Sequence, residues 1–285
     1  MKVLLTGAAG RIGSVMCHHF VEAGFDVRAG DRTAKRDLPV RVEIVNMLDR
    51  EACYRLVDGV DAIVHLANHP DQWGFDPQTV FNENVAMNEN VFQAAAELGV
   101  GKIVFASSIQ VIGGRRKREE GKMKPSELSY LPLDGDHPAN CANAYALSKR
   151  VGEVMLEYYT KNYGMSCVAL RIPGVTDATS FPRLLEETAK GPRIGGAMDE
   201  AFSYITRNDL AELAKAILLK PLEGFRIYHP SARTPGSVIP VAELIKRYFW
   251  NVPLRKPVEQ MKGLVDISRI QHETGWTPRE EMVPG

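Results

Sequence analysis

Tyr145 and Lys149 lie four residues apart in the segment Tyr145-Ala146-Leu147-Ser148-Lys149, which reads as helix. On a helix that spacing brings both side chains to one face. A tyrosine with an ordinary pKa of about 10 is a poor base at neutral pH. A neighbouring ammonium favours the phenolate, which can then take the proton of a substrate hydroxyl. On an arbitrary helix the same pair would read as a surface contact, so its meaning depends on context. Part of that context is Phe105-Ala106-Ser107-Ser108, which ends a strand-like run upstream. Ligands of open α/β sheets bind at the carboxyl ends of strands. Ser108 is therefore expected to donate to the substrate oxygen. Ser107 is the second candidate for that contact, and otherwise a buried serine bonded to backbone.

A hydride acceptor is the other part of the context. Thr6-Gly7-Ala8-Ala9-Gly10-Arg11-Ile12-Gly13 follows the first strand-like run and opens the first helix. A glycine triplet in that position permits a tight turn, close backbone approach to a pyrophosphate and close helix–strand packing. The helix N-terminus adds free N–H groups and partial positive charge for the phosphates. Asp31, at the end of the second strand and 18 residues beyond Gly13, can accept both ribose hydroxyls of an adenosine and repels a 2′-phosphate. That argues for NAD over NADP. Arg32 is the complication, because an adjacent guanidinium could pair with a 2′-phosphate. The alternative role for Asp31 is a turn or helix cap.

These residues need a scaffold, and the chain supplies one. Strand-like runs at 3–6, 26–29, 42–45, 62–66, 102–106 and 166–170 alternate with helical stretches near 11–23, 50–58, 78–98 and 142–163. Several runs are apolar throughout, as strands covered on both faces are. The alternation predicts βαβ units and a Rossmann-type, doubly wound parallel sheet over 1–170. After residue 170 proline and glycine become frequent. The stretch 171–285 reads as a smaller substrate-binding lobe, interleaved with the first, with helices at 208–219, 241–247 and 268–274 and a short strand at 225–228. The 285 residues carry 35 basic and 35 acidic side chains, 45% hydrophobic residues and four scattered cysteines without a CxxC pair. Zero net charge offers nothing to nucleic acid or an anionic membrane. The thiols read as reduced, no apolar run reaches the roughly 18–20 residues of a membrane span, and no signal peptide is indicated. A cytoplasmic protein is expected.

Together these residues resemble the extended short-chain dehydrogenase/reductase family, in its NAD-dependent epimerase/dehydratase group. The resemblance covers most of the chain. It rests on 6–13, Asp31, Asp61-Ala62-Ile63-Val64-His65-Leu66-Ala67, Asn84, Ala106-Ser107-Ser108, Tyr145 with Lys149, Phe202-Ser203-Tyr204-Ile205 before Asp209, and Gly275-Trp276-Thr277-Pro278. It implies an NAD-dependent enzyme in which Tyr145, Lys149 and Ser108 are catalytic. It places Leu66 and Ala67 as backbone around the cofactor, Asn84 near it, and Asn46-Met47 around adenine. Asn46 stands where the family usually has Asp. The full expected cofactor set is Gly7, Ala9, Gly10, Arg11, Ile12, Gly13, Asp31, Arg32, Asn46, Met47, Leu66, Ala67, Asn68, Asn84, Ala106, Ser107, Tyr145, Lys149, Ile172 and Pro173. Substrate contacts are expected from Ser108, Ile109, Gln110, Tyr145, Arg171 and Gly174. The resemblance also implies a homodimer formed through the helices at 78–98 and 142–163.

Departures narrow the chemistry. Ile109 and Gln110 occupy the positions where the family's sugar dehydratases carry an Asp-Glu pair, and neither can act as acid or base. Arg171-Ile172-Pro173-Gly174 lacks the Asn found in nucleotide-sugar epimerases, and this segment also resembles uronate dehydrogenases. Three readings result: an epimerase-like oxidoreductase on a sugar or nucleotide sugar, a free uronate or aldose dehydrogenase releasing NADH, and a non-catalytic NAD-binding sensor. The intact Tyr-Lys-Ser set argues against the last. The basic run 115–118 reads as a solvated loop or as a rim attracting an anionic substrate. Trp73 and Phe75 read as cleft lining or core. Arg171 reads as an anion contact or a structural ion pair between lobes. His65 is expected beside the cofactor, and no metal site is expected, since His65 and His69 lack convergent ligands.

Overall fold

Nine strands and eight helices are described in a computed structural model covering residues 1–71, 74–113, 125–189 and 200–282. Trp73 and the basic run 115–118 lie outside the described residues. Aliphatic runs form β1 (Lys2–Thr6), β2 (Asp26–Asp31), β3 (Val42–Ile44), β4 (Ala62–His65), β5 (Lys102–Ser108) and β6 (Ser166–Ile172). Shorter strands follow as β7 (Gly174–Thr176), β8 (Tyr204–Thr206) and β9 (Phe225–Tyr228). Seven of them make one sheet in the order β3-β2-β1-β4-β5-β6-β9, and β7 pairs in parallel with β8. β1 is parallel to β2 and β4, and the parallel pairing continues to β3 and to β5. Strand order reverses between β1 and β4, so the crevice beyond their carboxyl ends is the ligand-binding position of such a sheet.

Alternation along the strands explains the near-continuous apolar runs. Leu4, Ile63, Ile103, Phe105, Cys167 and Ala169 pack with α2 (Arg50–Val57), α3 (Pro77–Glu97) and α4 (Ala144–Tyr163). Val3, Leu5, Val64 and Val104, on the other face, are equally buried. α1 (Arg11–Glu22) packs on β1 and β2, and His19 Nδ1 meets Glu212 Oε1 of α6 (Arg207–Leu219) at 2.8 Å. Local capping sets the starts of the site helices. Asp76 accepts from Thr79 N–H at 2.9 Å ahead of Pro77, and Asn143 accepts from Ala146 N–H at 2.8 Å. Each cap satisfies an N–H that the first helical turn leaves open.

The chain forms two compact units. One comprises 1–107, 143–170 and 210–227, the other 108–142, 171–209 and 228–285. The chain therefore passes between units at 107/108, 142/143, 170/171, 209/210 and 227/228, rather than once at residue 170. Only the 170/171 passage, inside β6, coincides with a change in composition; the others, within or beside strands and helices, carry no such mark. The second unit holds β7, β8, α5 (Phe181–Ala189), α7 (Val241–Tyr248) and α8 (Ser268–Thr274). Strands of three residues are too short to show periodicity, which is why β7 and β8 escape the sequence pattern.

Asp209 organises the end of that unit. It is 3% exposed, its carboxylate accepts the N–H groups of Arg279 and Glu280, and its carbonyl oxygen accepts from Trp276 Nε1 at 3.0 Å. Replacing it with alanine removes the acceptor of two part-buried N–H donors. Asp209→Ala is expected to cost about 2–3 kcal/mol, measured by chemical denaturation, with amide exchange rising first at residues 279 and 280.

Candidate functional site

The expected phosphate turn follows β1 as required. Gly7 has φ +70°, and a side chain there would run into the backbone of Leu66 and Ala67, with Ala67 N at 2.9 Å. At Gly13 a Cβ would fall inside the shell of the Gly7 carbonyl oxygen. Glycine thus keeps a close-walled cradle open between β1, α1 and the end of β4. α1 begins at Arg11 with Gly10 as N-cap, no side chain bonded to the cap and no acidic residue in its first turn. Its first N–H groups and partial positive charge are suited to phosphate.

Asp31 closes β2 beside that turn. One carboxylate oxygen accepts Ala9 N–H at 3.0 Å, and the other accepts Thr33 N–H at 3.0 Å and the Thr33 hydroxyl at 3.1 Å. These bonds leave one lone pair, on the oxygen that meets Ala9, for a ribose hydroxyl. Arg32 is exposed. Asn46 makes an Asx turn with Leu48 N–H at 3.1 Å, whereas Met47 is 3% exposed and belongs to the apolar core of α2, α3 and α4.

Tyr145 and Lys149 both face inward from the first two turns of α4, at 7% and 3% exposure. The Lys149 ammonium lies 5.6 Å from the Tyr145 ring centroid and 4.9 Å from that of Phe105. It donates to Asn68 Oδ1 at 2.6 Å. Burial pushes the lysine down to about 7. His65, at the end of β4, is fully buried between Phe92 and Phe105; burial first, then the charge of Lys149, pushes it down to about 3. An imidazole so lowered is neutral at physiological pH.

Ser107 and Ser108 part company. Ser107 donates to Glu153 Oε1 at 2.7 Å, not to backbone. Glu153 is wholly buried on α4, and its other oxygen meets Arg150 at 3.0 Å. Ser108, 6% exposed, accepts Gln110 N–H at 3.2 Å, which uses a lone pair and not the hydroxyl proton. Asn84, 0% exposed, accepts His69 N–H at 2.7 Å and donates to Ser148 Oγ at 3.0 Å, tying the segment after β4 to α4. His69 pairs with Glu83 at 2.6 Å and packs on Phe75, which is 43% exposed.

In the second unit Ile109 is core, Ile172 and Pro173 are buried, and Gly174 N–H reaches Glu200 at 3.1 Å. Arg171, 2% exposed, donates to the His137 carbonyl oxygen at 2.6 Å. Among the described residues no cluster of His, Cys, Asp and Glu could hold a metal, and no helix is long and apolar enough to cross a membrane. Sequence reasoning missed Asn88 and Glu153. Their signal was present: Asn88 interrupts the apolar stripe Val80, Val91 and Ala95 of α3, and Glu153 continues the i, i+4 row from Tyr145 and Lys149.

A model of the NAD-dependent epimerase/dehydratase family matches residues 3–224. The NAD-dependent glucose-6-phosphate dehydrogenase of Haloferax volcanii is 31% identical over 184 residues, 61% of this chain and 68% of that protein. The uronate dehydrogenase of Pseudomonas syringae is 31% identical over 64% of this chain and 60% of its own length, so the chain spans under two thirds of that relative. A 2-alkyl-3-oxoalkanoate reductase of Stenotrophomonas maltophilia is 30% identical over 95% of this chain and 77% of its own. Among solved structures, the UDP-glucose 4-epimerase of Thermus thermophilus in complex with NAD has the same fold, with a TM-score of 0.67 at 24% identity, over 98% of this chain and 94% of that one.

The buried ammonium has a measurable consequence. Its folded pKa of about 7 lies below the ordinary lysine value of about 10.4. Between those values the unfolded chain binds a proton that the folded chain does not, so stability rises with pH. Relative to Lys149→Met, wild type is expected to gain up to about 1.4 kcal/mol per pH unit from neutral pH to 10, and to show a level difference below 7. Paired denaturant titrations across pH measure it.

Proposed function

The chain belongs to the NAD-dependent epimerase/dehydratase family, and from that premise we propose that it oxidises a secondary or anomeric hydroxyl of a sugar or nucleotide sugar. NAD, when bound, supplies the hydride acceptor. Gly7, Gly10, Gly13 and the first N–H groups of α1 would hold its pyrophosphate, and Asp31 its adenosine ribose. Tyr145 takes the hydroxyl proton. Lys149 stabilises the phenolate and anchors the second ribose, and Ser108 orients the substrate oxygen. Substrate contacts fall to Gln110, Arg171 and Gly174 as well. Ile109 and Gln110 supply neither acid nor base, which sets aside water elimination. The observation that carries this reading is an ammonium buried to 3% beside the Tyr145 ring, because burial strengthens its pull on a developing phenolate.

The decisive assay offers NAD+ with uronic acids, aldoses, aldose phosphates, nucleotide sugars and 3-hydroxy acids, and follows both NADH and product configuration. Inverted product without net NADH marks an epimerase; NADH accumulating with an oxidised sugar marks a dehydrogenase. Tyr145→Phe is expected to lower kcat/KM by about 10²–10⁴-fold while NAD binding persists. Retained turnover in that variant overturns the assignment.

A homodimer completes the proposal. Leu147, Val151, Val154 and Tyr158 recur along one face of α4, with Leu147, Val154 and Tyr158 46–52% exposed. Val151, Val154 and Tyr158 border a groove of about 420 Å³ between α3 and α4 that also presents Glu89 and Arg150. A two-fold axis there would bring each copy's acid to the other's base. Sedimentation should give a dimer for wild type and a monomer for Val154→Glu with Tyr158→Glu. The four free thiols suit a reducing compartment, the cytoplasm.

A further inference from the structure

Lys149 is not held by an isolated contact. Asn68, whose Oδ1 takes the ammonium at 2.6 Å, donates through Nδ2 to Asn88 Oδ1 at 3.1 Å. The same Asn88 oxygen faces His65 Nε2 at 3.1 Å, and His65 Nδ1 lies 2.7 Å from Thr6 Oγ1. Thr6 Oγ1 in turn receives the N–H groups of Leu66 at 3.2 Å and Ala67 at 3.3 Å. Thr6, His65 and Asn88 are all 0% exposed.

The donor and acceptor inventory settles every proton in this chain. Two N–H groups occupy both lone pairs of the Thr6 hydroxyl, so its proton goes to His65 Nδ1. His65 then carries its own proton on Nε2 and donates to Asn88 Oδ1. With that oxygen already accepting from His65, Asn68 must meet it with its amide nitrogen. The Asn68 oxygen is thereby turned to Lys149. Read from the other end the result is the same, since an ammonium can only donate. Thr6, His65 and Asn88 are shut off from water, so no bulk donor or acceptor reverses the polarity along that stretch, and the half-buried Asn68 takes its direction from it. Asn88 Nδ2 has no partner among the described residues, so the arrangement leaves one buried donor unmet to keep this direction.

We propose that Asn68 is a positioning residue for Lys149: the chain Thr6–His65–Asn88 orients the Asn68 amide so that its oxygen fixes the place and charge of the ammonium. The phosphate turn and the catalytic helix are thereby one hydrogen-bonded assembly, and the Asn68 side chain serves the lysine instead of the cofactor. The titratable groups facing the ammonium are Tyr145 on its own helix and His65 on β4, which is neutral; α3 presents Asn88 and β5 presents the Phe105 ring. Glu153, one turn further along α4, is taken by Ser107 and Arg150. Burial lowers the lysine, and the Asn68 oxygen works against that by favouring the charged form.

This inference rests on reading Tyr145 and Lys149 as the reacting pair, but its test needs no turnover. In protein labelled with [13C-ε]lysine, the Lys149 resonance, assigned by its loss in Lys149→Arg, is followed against pH in the absence of cofactor. Asn68→Asp, nearly isosteric, puts a carboxylate at the ammonium and raises the midpoint by about one unit or more. Asn68→Leu removes the acceptor and lowers it. Asn88→Ala, which frees the Asn68 amide to turn, lowers it as well. Circular dichroism and thermal melting identify the variants that fold, and Asn68→Ala replaces Asn68→Leu if the latter does not. Midpoints that coincide with wild type in folded variants, or that move the same way for Asp and for Leu or Ala at position 68, overturn the proposal. Failure of the enzymatic reading looks different: Tyr145→Phe keeps turnover while the lysine titration is unaffected.

Discussion

A positive charge withdrawn from water is costly to hold, and the first unit gathers partners around one such charge. The Lys149 ammonium has lost its hydration at 3% exposure. It regains one strong acceptor, the Asn68 oxygen, and the face of the Phe105 ring. Such compensation works only when the partners are held in place, because a displaced acceptor leaves the charge uncompensated. Two buried aromatic rings, Phe92 and Phe105, hold His65, and His65 holds Asn88. The packing of α3 and β5 is thus a condition for the electrostatics at α4, and not a separate feature of the core.

The α4 helix carries a second polar row beneath the first. Glu153 accepts from Ser107 and pairs with Arg150, so a wholly buried carboxylate has both oxygens engaged. This row divides the two serines at the end of β5. Ser107 is committed to the helix, and Ser108 keeps its hydroxyl proton. The division follows from strand geometry, since successive side chains point to opposite faces.

The second unit answers to different constraints. The matches to the glucose-6-phosphate dehydrogenase and the uronate dehydrogenase take in 61% and 64% of this chain, and the family match stops at residue 224. The hydride-handling machinery needs the same turn, strand ends and helix whatever the substrate. Loops and short elements carried on that scaffold can vary with the molecule to be held. Asp209 ties the second unit together near its end, where a buried carboxylate accepts from backbone and an indole donates to its carbonyl.

Apolar periodicity and the glycine turn were legible in the sequence because they are local. Strands at 3–6, 62–66 and 102–106, and the site helices, can be placed to within a few residues from spacing alone, and so can the shared face of Tyr145 and Lys149. The family followed from motifs of the same local kind. Partner choice among buried polar groups was not legible. Asn68 reads as a cofactor residue until Lys149, 81 residues away, is found against its oxygen, and Ser107 reads as backbone-bonded until Glu153 appears. The passages of the chain between its two units were equally hidden, apart from the one at 170/171. A hydrogen bond between distant residues leaves no periodic trace. It exists only where packing brings two groups together and shuts water out, and that is a property of the tertiary structure.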